Sequence, residues 1–101
     1  MLTLPIHVRR DLIEGFCQRH HIRKLAFFGS VLTDRFRPES DVDVLVEFHP
    51  HHVPGFLRLA GMERELSAML GRKADIRTPE DLSRHFRDDV VASAAVQYES
   101  V

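Results

Sequence analysis

The sequence predicts a small α/β or α+β protein in which helices cover a short sheet. Residues 41–48 alternate between apolar and mostly acidic side chains, which is the period of a strand with one packed face. Residues 56–70 carry apolar side chains at helical spacing and are followed by Gly71, a frequent helix terminator. Residues 25–28 form a short apolar and aromatic run that suits a buried strand.

The first half of the chain is predicted to contain two helices and two strands. Thr3 and Pro5 have the residue types of a helix N-cap and first turn, and an apolar stripe at helical spacing continues to about His20. The strand over residues 25–28 follows, and a short helix is expected over residues 30–36. A proline-containing loop then leads to the next strand.

The second half is predicted to add two helices and one strand. The helix over residues 56–70 precedes a short strand around residues 74–76. The Thr-Pro pair at residues 78–79 is typical of a helix start, and the acidic residues after it favour the helix dipole. The final helix is expected to run to about Tyr98, with a break near Phe86.

Size and charge exclude several classes of protein. The 101 residues include 14 lysines and arginines against 15 aspartates and glutamates, a net charge of −1, and one domain over residues 1–101 is expected. The near-zero charge argues against direct nucleic-acid binding, because such domains usually have a pI above about 9. The apolar runs are too short to cross a membrane. Cys17 is the single cysteine, which indicates a cytoplasmic location, and packing in the first helix is its expected role.

Asp41 and Asp43 are the strongest candidates for chemistry. Residues i and i+2 of a strand point the same way and lie about 6.5–7 Å apart along it, so both carboxylates can reach one cation. Two such charges about 4 Å apart repel by roughly 4 kcal/mol at an effective dielectric near 20, and without a cation one of them tends to hold a proton. Magnesium resolves this conflict, because it binds a few carboxylates together with waters and substrate phosphates.

Gly29 and Ser30 suit the binding of a phosphate. Glycine lets the backbone approach a ligand closely, and the Ser30 hydroxyl and the N–H groups of a following helix start can donate to an anion. No P-loop and no dinucleotide-binding glycine motif is present. A Gly-Ser pair alone is commonly a turn, and two alternating acids alone can be a solvated strand face. Their combination favours a nucleoside triphosphate site that uses magnesium.

Asp75 is a candidate third carboxylate. It lies between Ala74 and Ile76 in a short strand, so its side chain points opposite to theirs. If those two residues face the core, Asp75 shares the face of Asp41 and Asp43. The alternative is a single exposed aspartate on a strand.

Residues 27–30 and 40–47 together resemble the G-S-x10-D-x-D signature of the minimal nucleotidyltransferases, which belong to the DNA polymerase β-like superfamily. Residues 37–40 resemble the family's approach to the first acid, and residues 71–76 resemble the strand that bears its third acid. The resemblance covers nearly the whole chain and implies a short mixed β-sheet flanked by helices. Thr33 departs from the pattern, because many relatives carry a basic residue there.

The resemblance also implies a reaction, in which a nucleoside monophosphate is transferred from a nucleoside triphosphate to a hydroxyl group. ATP is the expected triphosphate. On this mapping Asp41 and Asp43 bridge two Mg²⁺ ions, and Asp75 completes the ion that lowers the pKa of the attacking hydroxyl. Gly29 and Ser30 would hold the β- and γ-phosphates.

Two further groups of side chains carry weaker signals. Arg35 or Arg37 could neutralise the triphosphate, although solvated loop arginines fit the sequence equally well. The histidines at positions 49, 51 and 52 have no fourth ligand at the spacing of a zinc site, and a proline at position 50 interrupts them. Both observations favour a loop over a metal site.

The family resemblance suggests a biological role as well. Many such proteins resemble antitoxins that adenylylate a tyrosine of a HEPN-domain RNase toxin, so a HEPN toxin is the expected partner. One alternative is a non-catalytic module that neutralises its partner by forming a complex, and a homo- or hetero-oligomer is compatible with either role. Another alternative is transfer to a small molecule, for which relatives usually carry an additional substrate domain.

Overall fold

The fold is built on one four-stranded sheet. The structure, a computed structural model, describes residues 4–100, and no helix within that range is long and apolar enough to span a bilayer. In chain order, the elements of this range are α1 (Arg10–Arg19), β1 (Ile22–Phe28), a 3-10 turn (Gly29–Leu32), β2 (Val42–Phe48), α2 (Phe56–Leu70), β3 (Ala74–Arg77), a second 3-10 turn (Pro79–Asp81), α3 (Arg87–Ser93) and β4 (Ala95–Glu99).

The sheet is mixed and has the strand order β3-β2-β1-β4. β1 pairs antiparallel with both β2 and β4, whereas β2 pairs parallel with β3. Parallel neighbours require a crossover connection, and α2 supplies it. The predicted fold class, a short mixed sheet flanked by helices, is therefore confirmed.

One face of the sheet carries the main apolar core, which α1 and α2 share with the strands. Burial of a large apolar side chain contributes about 1.5–3 kcal/mol, so this layer supplies most of the driving force for folding. Cys17 is fully buried here, and burial raises the pKa of its thiol to about 12, in agreement with a packing role. The core cluster consists of Ile13, Phe16, Cys17, Ile22, Leu25, Phe27, Val31, Val42, Val44, Val46, Met62, Leu66, Ala74 and Ile76.

The predicted start of the first helix is wrong. α1 begins at Arg10, Pro5 lies before it, and Thr3 falls outside the described residues. The segment before α1 follows a period of two, in which exposed residues alternate with half-buried side chains that pack on the core, namely Leu4, Ile6 and Val8. This alternation is the pattern of an extended segment.

The predicted helix over residues 30–36 is wrong as well, because only the 3-10 turn Gly29–Leu32 forms. The amide and the hydroxyl of Thr33 both donate to the carbonyl oxygen of Ser30 at 2.9 Å. The amide of Arg35 then donates to the Thr33 hydroxyl at 3.2 Å. These local hydrogen bonds offer the backbone an alternative to a helix, which is a frequent effect of threonine.

The predicted final helix, from the Thr-Pro pair to about Tyr98, is also wrong over most of its length, because only Arg87–Ser93 is α-helical. α3 ends at Ser93, the backbone of Ala94 is extended, and the chain continues as β4. β4 pairs with β1, and Tyr98 lies opposite Leu25. Without β4, this edge of β1 would keep unpaired backbone groups, and that requirement overrides the helical pattern. The break near Phe86 is confirmed, since Phe86 is the N-cap of α3.

Other predicted boundaries differ by a few residues. β1 begins at Ile22, three residues before the apolar run, and Asp41 directly precedes β2. Thr78 and Asp81 form a capping box, but it caps only a 3-10 turn. The predicted end of α2 is confirmed, because Gly71 has a left-handed φ of +69°. At such a φ an L side chain costs roughly 1–2 kcal/mol.

We expect the substitution Gly71→Ala to lower the free energy of unfolding by about 1 kcal/mol, because alanine disfavours the left-handed conformation. The matched control is Gly15→Ala inside α1, where an added Cβ meets no atom within 4 Å. That variant should be more stable than the parent by about 0.5–1 kcal/mol. Urea unfolding followed by circular dichroism measures both, and shifts of the same sign would contradict this assignment of backbone conformations.

Candidate active site

Asp43 and Asp75 lie directly beside each other on neighbouring strands. In the parallel register of β2 and β3, Asp43 is the partner of Asp75. Register partners of adjacent strands project to the same face at a strand spacing of about 4.8 Å. The residues that flank Asp75 are buried in the core, so both carboxylates occupy the opposite face of the sheet. The structure thus places Asp75 where the alternation in the sequence predicts it.

Asp41 lies at the entrance to this face. It is exposed and directly precedes β2, where the amide of Val42 donates to the carbonyl of Lys73 at 2.8 Å. Asp41 is close enough to Asp43 for its charge to act on the Asp43 carboxyl group. The three predicted acids are therefore neighbours, with Asp43 in the middle.

The surroundings of Asp43 disfavour its charged form. Burial is the largest effect that raises the pKa of its carboxyl group, and the negative charges of Asp75 and Asp41 raise it further. The positive charge of Arg77 acts in the opposite direction, and the net shift is upward. A carboxyl group with a raised pKa between two other acids is typical of a functional site, since a bound cation would remove the repulsion.

Gly29 forms the wall of the site beside Asp43. Its φ is +78°, and a Cβ atom at this position would lie 2.3 Å from Oδ2 of Asp43. Two separate reasons thus demand glycine here, the left-handed backbone and the contact with the carboxylate. In the antiparallel register of β1 and β2, Phe28 is the partner of Asp43, which explains why the Gly-Ser turn and the acids meet.

Ser30 is half-buried and is the second residue of the 3-10 turn Gly29–Leu32. This turn spans four residues and replaces the longer predicted helix. The dipole of a long helix is therefore missing, and a phosphate at this position would depend on the local N–H groups and the Ser30 hydroxyl. Thr33 uses its side chain to close the turn, so it has a structural role at this position.

Arg35 and Arg37 are exposed on the loop between the Gly-Ser turn and Asp41. The amide of Arg37 donates to the Ser40 hydroxyl at 3.0 Å. The loop is held by Arg72, whose Nη1 donates to the carbonyl oxygens of Arg37 at 3.0 Å and of Pro38 at 2.8 Å. This arrangement leaves both loop arginines exposed at the surface.

Sequence reasoning missed three residues that position the site. The guanidinium group of Arg72 holds the loop before Asp41 and lies 4.5 Å from the centre of the Phe36 ring. Glu63 of α2 accepts a hydrogen bond from the amide of Ile76 at 2.7 Å and so ties β3 to the helix. Arg77 forms an ion pair with Asp75. Of the three, only Arg77 had a usable signal, because it follows Asp75 at the i+2 spacing of a strand face.

The donor set fits a magnesium ion in its chemistry, because three carboxylates are the hard oxygen ligands that this cation prefers. The pKa of the Asp43 carboxyl group is raised first by burial and then by the negative charges of Asp75 and Asp41. Within residues 4–100, however, no three His, Cys, Asp or Glu side chains converge closely enough to form a ready metal site. Asp75 is directed toward Arg77, so a cation bound by all three acids requires a rearrangement of side chains.

Comparison with known proteins identifies the family. A family model described as nucleotidyltransferase domain matches residues 9–97. The chain belongs to the nucleotidyltransferase domain family. The Gly-Ser turn, Asp41, Asp43 and Asp75 all lie within the matched range, and the family resemblance read from the sequence is confirmed.

Individual relatives agree with this nucleotidyltransferase assignment. Protein adenylyltransferase MntA of Thermococcus cleftensis is 34% identical over 59 residues, which are 58% of this chain and 58% of the relative's length. A solved structure provisionally described as a minimal nucleotidyltransferase has a TM-score of 0.69 and 31% identity, and the match covers 85% of this chain and 86% of that one. A toxin-antitoxin crystal structure with AMP-PNP shares the fold, with a TM-score of 0.73, 15% identity and coverage of 92% and 75%.

We expect Asp43→Asn to stabilise the protein when no divalent cation is present. Because the carboxyl pKa of Asp43 is raised in the folded chain, the folded state binds more protons than the unfolded state. The free energy of unfolding therefore falls as the pH rises from the pKa of the unfolded state to the higher pKa of the folded state. At neutral pH the variant removes the unfavourable charge of the Asp43 carboxylate, and its melting temperature should rise by roughly 1–4 °C.

The control for this prediction is Asp34→Asn, which removes an exposed carboxylate from the loop. Thermal unfolding at several pH values in EDTA measures the difference. The advantage of Asp43→Asn should shrink as the pH is lowered, since the native carboxyl group then becomes neutral. A melting temperature below that of the parent at neutral pH would contradict the proposed repulsion.

We expect Gly29→Ala to damage the site more than the fold. The left-handed φ costs about 1 kcal/mol of stability, and the new Cβ displaces the Asp43 carboxylate with which it would overlap. Binding of a divalent cation should therefore weaken at least about tenfold in a protein that still folds. The matched control is Gly61→Ala in α2, where the nearest atom to a Cβ is 3.6 Å away, and equal binding by the Gly29 and Gly61 variants would contradict the role of Gly29.

Proposed function

We propose that this chain is a magnesium-dependent nucleotidyltransferase that transfers AMP from ATP to a tyrosine hydroxyl of a HEPN-type RNase toxin, and that it acts as the antitoxin of that protein. The observation that carries the proposal is the position of Asp43, which has Gly29 on one side and Asp75 on the other. A turn suited to phosphate and a pair of carboxylates thus share one face of the sheet, as a triphosphate with its cation requires.

The residues of the site divide the work by their chemistry. Asp41, Asp43 and Asp75 would hold Mg²⁺, which when bound offsets the charge of the phosphates and lowers the pKa of the attacking hydroxyl. The backbone at Gly29 and the hydroxyl of Ser30 would donate to the β- and γ-phosphates.

In the proposed transfer, the acceptor oxygen forms a bond to the α-phosphorus of ATP. The bond between that phosphorus and the oxygen that bridges the α- and β-phosphates breaks. Pyrophosphate leaves with the electron pair, and the hydroxyl proton passes to water or to a carboxylate. Arg35 and Arg37, exposed on the loop that leads to Asp41, would stabilise the negative charge on the departing pyrophosphate.

The nucleotide and the acceptor are inferred from the relatives. The Thermococcus cleftensis relative is named as a protein adenylyltransferase, which supports AMP as the transferred group and a protein as the acceptor. The toxin-antitoxin structure was determined with AMP-PNP, an analogue of ATP, and supports both the nucleotide and the class of partner through the shared fold.

A second candidate function is neutralisation by binding alone. It is favoured by an exposed apolar cluster at the start of α2, where Phe56 and Leu57 are each 85% exposed and Val53 is 72% exposed. A large exposed apolar group is a common mark of a protein-protein contact. Val53 also borders a cavity beside Phe48, at the opposite end of β2 from Asp43. A partner held there would leave the carboxylates accessible.

Incubation of the purified chain with the product of its neighbouring gene, ATP and Mg²⁺ distinguishes the two functions. We expect intact-mass spectrometry to detect adenylylation of the partner, and peptide mapping to locate it on a tyrosine. Asp41→Asn and Asp43→Asn should each reduce the rate at least about 100-fold, because the loss of a metal ligand removes several kcal/mol of charge stabilisation.

The control variant is again Asp34→Asn, which should transfer at the parental rate. Undiminished transfer by either Asp41→Asn or Asp43→Asn would overturn the catalytic assignment. If both variants instead neutralise the toxin as well as the parent does, with no modification of the partner, the binding function replaces the catalytic one.

A further inference from the structure

Within the described part of the chain, Arg77 is the one cation that forms an ion pair with any of the three site acids, and its partner is Asp75. It follows Asp75 by two residues in β3, so both side chains project from the same face. Its Nη2 lies 3.2 Å and its Nε 3.4 Å from Oδ2 of Asp75. The guanidinium group thus concentrates two N–H donors on one carboxylate oxygen.

Among residues 4–100, Asp75 is the only acid that forms an ion pair with Arg77. Its register partner on β2 is Leu45, which has no charge. Glu47, the next acid along β2, is already paired with Arg23. The pKa of Arg77 is raised, first by the hydrogen bond to Asp75 and by the charge of that carboxylate, with smaller effects from Asp81 and Asp43.

Arg77 and a divalent cation have the same electrostatic effect on this site. The charge of Arg77 lowers the pKa of Asp43 against the stronger effects of burial and Asp75, which is also what a bound cation would do. A guanidinium group and a metal ion cannot both approach one carboxylate oxygen closely, because they repel each other. In the described residues Asp75 is paired with Arg77, and the three acids do not converge on one point.

We propose that Arg77 is a positioning residue that competes with the divalent cation for Asp75. Without the cation, Arg77 neutralises Asp75 and keeps it apart from Asp43. When Asp41 and Asp43 bind the cation, Asp75 exchanges its ion pair with Arg77 for the cation. This inference rests on the proposed function, because it concerns the same three carboxylates, and it names the residue that sets their affinity for metal.

Direct titration with Mn²⁺, followed by electron paramagnetic resonance and calorimetry without nucleotide, tests the proposal. We expect Arg77→Gln to lower the dissociation constant for Mn²⁺ by about three- to tenfold, because the variant loses a partly exposed ion pair to Asp75 and a positive charge near the cation. Arg77→Lys keeps the charge and should remain within about threefold of the parent. The matched control Arg64→Gln removes an exposed arginine from α2 and should change the constant by less than about twofold.

A double-mutant cycle separates the specific competition from a general effect of charge. In the Asp75→Asn background there is no carboxylate to exchange, so Arg77→Gln should lose most of its effect on Mn²⁺ binding. If Arg77 instead held Asp75 in a binding orientation, Arg77→Gln would weaken Mn²⁺ binding, which would overturn the proposal.

The remaining outcomes separate this inference from the proposed function. Binding that is lost in Asp43→Asn but unchanged in Arg77→Gln overturns the role of Arg77 alone. If the parent and Arg77→Gln both bind Mn²⁺ no better than Asp41→Asn and Asp43→Asn do, the metal site and the proposed function fail together. Circular dichroism of each variant confirms that the chains compared are folded.

Discussion

The parallel pairing of β2 with β3 is the constraint on which the rest of the site depends. It places Asp43 and Asp75 side by side, although two like charges at such a distance repel by several kcal/mol. The opposite face of the same strands supplies the compensation, because Val42, Val44 and Ile76 are buried there against α1 and α2. The apolar layer thus holds together an acidic surface that would not assemble by itself.

Two features limit the cost of the acidic charge in the folded chain. Asp75 is paired with Arg77, and Asp41 lies in solvent at the entrance, whereas the raised carboxyl pKa of Asp43 marks the charge that stays unfavourable. Gly29 contributes by having no side chain, since its backbone lies against the Asp43 carboxylate. A site arranged in this way is less stable than an apolar alternative would be. Natural proteins commonly accept such a cost where a ligand is to supply the missing charge.

Sequence reasoning recovered the elements whose patterns are local and failed where pairing over long distances decides. The strand with alternating valines and the helix that ends at Gly71 could be predicted, because the alternation of side chains and the glycine that ends the helix are both visible in consecutive residues. The helix expected up to Tyr98 became β4, since the free edge of β1 offered hydrogen bonds that no local signal reveals. In place of the helix expected after Ser30 a short turn forms, because the Thr33 side chain makes hydrogen bonds to the backbone that compete with a helix.

The sequence by itself determined the family, the mixed sheet with its helices and the acids of the candidate site, because strand alternation directs Asp43 and Asp75 away from buried neighbours. Only the tertiary structure decided how these groups meet. The register of three strands brings Gly29 against Asp43 and places Asp75 beside Asp43. The side chains of β3 also form the ion pair between Asp75 and Arg77. The physical reason is that charge and contact depend on distances of a few ångströms between strands, and spacing along a single chain does not define those distances.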